Sequence, residues 1–169
     1  MEQILLIRGI NVGGHGRLPM AALRAILVDL GAGLVRTYLQ SGNAVCETAI
    51  DPQALADRIE AEYGFRRPIL AISAPDWTGR IRTNPFPMGI GKMLHGIFHD
   101  GAPLDVTAMR NLCDENEQIS AQNGVLWLYT PDGFGRSKLA AKIDALADRP
   151  VTARNWNSIA AITDLLSND

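Results

Sequence analysis

The chain has 169 residues, of which 47% are hydrophobic and 20% charged, with a formal net charge of −2; that length suits one ordinary domain or two small ones with a packed core. A pI of about 5.9 argues against a general nucleic-acid binder, since such domains tend to exceed about 9. No apolar run approaches the roughly 20 residues that cross a bilayer, the opening Met1-Glu2-Gln3 lacks a basic n-region, and Cys46 and Cys113, without CxxC spacing, give no disulfide framework, so the expected home is a reducing cytoplasm.

In chain order, residues 3–8 read as an apolar strand that delivers Arg8 to the loop Gly9-Ile10-Asn11-Val12-Gly13-Gly14. Pro19, in a helix first turn, opens an amphipathic segment carrying Met20, Leu23, Ile26, Leu27 and Leu30 and ended by Gly31. Strands are expected at 34–39 and 43–47 around a Gln40-Ser41-Gly42-Asn43 turn. Asp51-Pro52 then caps a helix that stops near Gly64, and a strand at 68–73 follows. A short helix at 74–82, holding Pro75 and Gly79, leads into the Pro- and Gly-rich stretch 83–91. Beyond it, 95–99 reads as a strand, 104–112 as a helix, 117–121 and 125–130 as strands around an Asn123-Gly124 turn, 137–147 as a helix and 150–153 as a strand. A last helix starts at an Asn155 N-cap and carries Trp156, Ile159, Ile162 and Leu166.

The order βαββαβ therefore occurs twice. The expected fold is α+β, with two tandem ferredoxin-like halves, residues 1–75 and 92–169, joined by a connection over 76–91 and closed by a C-terminal helix. In such a unit the loop after the first strand and the middle hairpin share one end of the sheet, as do the loop after the third strand and the segment after the fourth. The first rule groups Arg8, Gly9, Asn11, Gly13 and Gly14 with Gln40, Ser41 and Asn43; the second groups Arg136, Ser137 and Lys138 with Arg154, Asn155 and Asn157. Both ends are polar and basic, and residues 3–28 contain no acid. The expectation is that the two ends meet in one positive cleft. There the arginines and Lys138 clamp an anion, the amides orient it, and Ser137-Lys138 at a helix N-terminus add N–H groups and a favourable dipole. The competing reading makes these charges solvated helix-start residues beside an Asp132-Gly133 turn.

LLIRGINVGG, RTYLQSGN, NPFP, PDGFGRSK and TARNWN, in this order and spacing, resemble the bacterial domain-of-unknown-function 1697 family across nearly the whole chain. The resemblance implies a two-half α/β fold related to the ferredoxin arrangement and carries no established activity or substrate. In that family the stretch before NPFP is more regularly helical than Pro75 and Gly79 suggest here.

Other constellations are weaker. No cofactor fingerprint is present, because neither Gly9–Gly14 nor Gly133–Lys138 has Rossmann or Walker A spacing. His95 and His99, four strand residues apart, are separated by about 13 Å, too far for one metal ion. Cys46 reads as a buried thiol, and His15 is the only histidine near the expected site. Three function classes remain. The leading one is a binder of, or enzyme acting on, a phosphorylated or otherwise anionic small molecule. A second is a single-stranded RNA-binding module using Phe98, Trp127 and Tyr129 as a stacking face. The third is a protein-interaction or dimerisation domain, with oligomeric state unread from these residues.

Overall fold

The computed structural model describes residues 1–87 and 90–167; Met88 and Gly89 of the expected Pro- and Gly-rich connection lie outside the described residues. Among the described residues there are two four-stranded antiparallel sheets and six α-helices. The chain forms two compact units, Met1–Thr78 with the segment from Ala161 onward, and Gly79–Ala160.

In the first unit, the apolar run at the N-terminus makes β1 (Gln3–Ile7), which lies between β3 (Asn43–Cys46) and β4 (Ile69–Ser73), with β2 (Val35–Tyr38) outside β3. Alternation sends Leu5, Ile7, Ala44 and Cys46 to one face. There they pack on Leu23, Ile26 and Leu27 of α1 (Met20–Asp29) and on Leu55 and Ile59 of α2 (Pro52–Tyr63). Each leucine or isoleucine among them, removed from water, contributes roughly 1.5–3 kcal/mol. Ile4, Leu6, Val45 and Ile72, on the opposite face, are buried as well. The helix ends differ in chemistry. Asp51 caps α2 by accepting from the Gln53 N–H at 2.9 Å, and Gly64 closes it at φ 77°. At α1, Pro19 occupies the N-cap instead of the first turn and supplies no side-chain hydrogen bond.

The second unit orders its strands in the same way. β5 (Leu94–Phe98) lies between β7 (Val125–Tyr129) and β8 (Thr152–Asn155), and β6 (Gln118–Gln122) lies outside β7. Asn123 and Gly124, at φ 43° and 77°, form the expected two-residue hairpin turn. Ile97, Leu126 and Leu128 pack on Met109 of α4 (Val106–Arg110) and on Leu139 and Ile143 of α5 (Lys138–Ala147). On the other face the Trp127 ring meets Trp156, the first residue of α6 (Trp156–Asp164), at 5.9 Å and 53°.

Boundaries depart from the sequence reading where hydrogen bonds decide them. α4 spans five residues instead of 104–112 because Asp105 caps it, its carboxylate accepting from the Thr107 N–H at 3.1 Å. β8 runs to Asn155, beyond 150–153, because its polar residues still pair with Gly96 and His95. α6 ends at Asp164, so Leu166 lies in a turn. α3 (Ala74–Ile81) forms despite Pro75 and Gly79: Pro75 sits in the first turn, where no N–H is needed, and the Ser73 hydroxyl accepts from the Asp76 N–H at 3.3 Å.

Candidate functional site

The end of β1 is where the first unit concentrates its polar backbone. Ile7 donates to the Gly42 carbonyl at 2.8 Å and Arg8 to that of Pro68 at 3.1 Å, so the chain leaves the sheet between the β2–β3 hairpin and the start of β4. The next residues form a compact loop. Asn11 N–H donates to Gly16 O at 2.9 Å, and His15 N–H to Val12 O at 3.0 Å across a Gly13-Gly14 tip whose φ values, 59° and 76°, are both positive. Gly16 takes φ 62°, and a Cβ there would crowd the Gly9 carbonyl at 3.0 Å.

Asn11 holds this loop in place. Its Nδ2 donates to the carbonyls of Leu18 at 2.9 Å and Gln40 at 2.7 Å, and its Oδ1 accepts from the Leu18 N–H at 2.8 Å. One amide thereby ties both ends of the loop to the neighbouring hairpin. Asn43 does similar work inside that hairpin: fully buried, it donates to Tyr38 O and Ser41 Oγ, each at 3.0 Å. Both side chains, expected to orient a ligand, brace the loops around the pocket.

Between the braced loop and the hairpin lies a pocket of about 460 Å³, lined by Asn11, Gly14, Arg17 and Gln40 and, on the helix side, by Leu18, Pro19 and Met20. The first-turn N–H groups of α1 have no intrahelical partner, and Pro19 leaves them uncapped. None of the described residues lining the pocket is an acid. Arg17 is exposed, and Arg67 lies against the same loop, its Nε donating to Gly9 O at 3.3 Å and its guanidinium resting 5.4 Å from the Phe65 ring centre. The acids of α2 are engaged elsewhere: Asp57 and Glu60 pair with Arg66, and Glu62 pairs with Arg58. The local field is therefore positive.

Sequence reasoning missed Arg17 and Arg67. Arg67 could have been found, because an antiparallel β4 must start beside the end of β1. Arg8 is half-buried, Gly9 takes φ 66°, and Ser41 is exposed.

In the second unit the expected residues are placed as follows. Ser137 caps α5, accepting from the Ala140 N–H at 3.1 Å, and its hydroxyl donates to Glu117 at 3.3 Å. Lys138, 71% exposed, is 3.6 Å from Asp114, and Arg136 is exposed. The Arg154 guanidinium donates to Thr152 Oγ1 at 2.7 Å and Ala153 O at 2.9 Å, and burial pulls its pKa down to about 10. Asn155 caps α6 through the Ser158 N–H at 2.9 Å, and exposed Asn157 lies against Gly91. Glu117 and Asp114 thus lie against Ser137 and Lys138, whereas the described lining of the first unit's pocket includes no acid.

Other reactive side chains are quiet. Burial raises the Cys46 thiol to about 11 and holds His95 at about 4, its ring stacked 3.9 Å from that of Phe134. Trp127 and Phe98 are fully buried and present no ring to solvent. Among the described residues no three His, Cys, Asp or Glu side chains form a group able to hold a metal ion, and no helix is long and apolar enough to cross a membrane.

The family model described as "Protein of unknown function (DUF1697)" matches residues 1–127 and so contains the whole of this pocket. Among solved structures, the conserved bacterial protein SP0830 from Streptococcus pneumoniae is similar in fold, with a TM-score of 0.68 and 23% identity over 96% of this chain and 97% of that one. No curated protein matches.

Proposed function

We propose that this chain, which belongs to the DUF1697 family, binds a phosphate- or carboxylate-bearing small molecule in the pocket between the β1–α1 loop and the β2–β3 hairpin. The observation that carries this reading is the coincidence, around about 460 Å³, of an uncapped helix N-terminus, Arg17 at the rim and a lining without acids. A helix N-terminus favours an anion by roughly 0.3–1 kcal/mol when exposed. A guanidinium adds a forked, charge-assisted donor. Because Asn11 already fixes the loop, little ordering entropy is lost on binding.

The strand orders β2-β3-β1-β4 and β6-β7-β5-β8 support a ferredoxin-like reading of each unit. In that arrangement the loop after the first strand and the middle hairpin share an end, which is how Gly14 and Gln40 come to line one pocket. The fold by itself carries no function. Of the residues expected from sequence, Gly14 and Gln40 line the pocket with Asn11, and Arg8, Gly9, Gly13 and Ser41 belong to the loop and hairpin that frame it. Asn11 and Asn43 support it structurally, and Arg136, Ser137, Lys138, Arg154, Asn155 and Asn157 stand outside it.

A thermal-shift panel of pyrophosphate, nucleotides, sugar phosphates, coenzyme A and a short single-stranded RNA, run on wild type, Arg17→Ala and Lys138→Ala, tests the reading. Ligand at about 100 times its dissociation constant stabilises the fold by about 2.7 kcal/mol. The expected result is a shift with a phosphorylated small molecule that survives Lys138→Ala and disappears in Arg17→Ala. A shift that depends on Lys138 alone, or none with any anion, overturns it, and stabilisation by RNA alone favours the nucleic-acid reading.

A further inference from the structure

The second unit carries a groove of about 530 Å³ that the anion reading does not use. Its floor is the sheet face opposite α4 and α5, where Gln118 of β6 lies directly across from Tyr129 of β7 and Ser120 across from Trp127. Its wall is the segment Pro85-Phe86-Pro87 with Ile90. That wall is anchored. Trp127 Nε1 donates to Thr83 Oγ1 at 2.9 Å, the Thr83 hydroxyl donates to Arg80 O at 2.7 Å, and Asn84 Oδ1 accepts from the Phe86 N–H at 2.9 Å. The Phe86 ring stacks over Tyr129 at 5.9 Å and 27°.

Three properties define what fits. None of the described residues lining the groove is charged, so a bound ion would lose hydration without gaining a counter-charge from them. Two rings and two prolines present flat apolar surface, which favours a flat ligand. The Gln118 amide and the Tyr129 hydroxyl both border the groove, which puts hydrogen-bond donors and acceptors at its floor. β6 is an outer strand of its sheet, which leaves the groove open at one side. Apolar pockets with a few convergent polar groups are the usual form of small-molecule sites.

We propose that this groove binds a small, neutral, planar aromatic molecule with a hydrogen-bonding substituent, its ring against Phe86 and its polar edge on Gln118 and Tyr129. The test is a titration of the full chain, followed by the amide resonances in two-dimensional NMR, with benzamide, its saturated analogue cyclohexanecarboxamide, and benzoate. Benzamide is expected to give saturable shifts at the Gln118 side-chain amide and the Ser120 and Tyr129 backbone amides, with the other two compounds at least about 10-fold weaker. Phe86→Ala is expected to weaken benzamide about 10-fold, within the range for loss of a stacking ring, and exposed Gln118→Leu supplies a second variant that leaves the wall intact. Arg17→Ala is expected to leave benzamide binding unchanged, which separates this site from the anion pocket. Equal affinity for the planar and saturated amides, insensitivity to both groove variants, or shifts confined to other residues overturns the proposal.

Discussion

Replacing Asn11 tests whether one side chain organises the loop that frames the pocket. Asn11→Ala removes two donations and one acceptance, at 2.9, 2.7 and 2.8 Å. At a net 0.5–1.5 kcal/mol per bond, and with the Gln40 contact at the surface, the loss is about 2 kcal/mol. Alanine must also take up φ 54°, which costs a further ~1 kcal/mol. The expected destabilisation is therefore about 3 kcal/mol for Asn11→Ala and about 2 kcal/mol for Asn11→Gly, which loses the bonds but not the backbone freedom. Asn11→Asp keeps the acceptor and turns a carboxylate toward the carbonyls of Leu18 and Gln40, so it belongs with alanine or worse. Urea unfolding followed by circular dichroism, at constant m, measures the series. Asn11→Ala within 0.5 kcal/mol of wild type, or glycine more damaging than alanine, would refute the bracing role.

Three further outcomes follow from the geometry. Gly42→Ala places a Cβ 2.7 Å from Ile7 O and 2.8 Å from Ile7 Cβ at φ 88°, whereas Gly13→Ala meets nothing within 4 Å; urea unfolding should give a loss above about 3 kcal/mol for the first and about 1 kcal/mol for the second. His95, held neutral by burial with a pKa near 4, binds its proton more weakly folded than unfolded, so its contribution is complete above about pH 6.5 and falls as pH drops toward 4. His99, shifted the same way by burial, adds to the trend. The stability difference between wild type and His95→Phe should change by up to about 3 kcal/mol across that window, and a flat difference would show that His95 does not carry it. Ser137→Ala should cost about 1 kcal/mol through loss of the α5 cap while leaving anion affinity unchanged, whereas exposed Lys138→Ala should cost less than about 0.5 kcal/mol.

Much of the architecture was legible because local chemistry and tertiary structure agree. The apolar run at 4–7, the Asp51-Pro52 start, the Gly64 stop and the Asn123-Gly124 turn all appear where residue types place them. Where β8 extended through Arg154 and Asn155, polar composition concealed pairing that only the neighbouring strand supplies. Of the candidate site, the loop placement was legible from topology, since the loop after β1 and the β2–β3 hairpin do share an end of their sheet. Roles were less so. A sequence shows that Asn11 and Asn43 carry hydrogen-bonding groups, not that those groups are already committed to carbonyls of their own loops. Arg67 was overlooked because it precedes β4 outside any glycine-rich motif, although antiparallel pairing with β1 brings it to the same loop.

The most direct measurement of the anion proposal is a pyrophosphate titration of the uniformly labelled chain, reading the backbone amides of Gly13, Gly14, Met20 and Ala21 and repeating it with Arg17→Ala. Saturable shifts at those amides that weaken at least about 10-fold in the variant and diminish with added salt are the expected result. Shifts centred on Arg136 and Lys138, or none at the α1 N-terminus at saturating pyrophosphate, would contradict it.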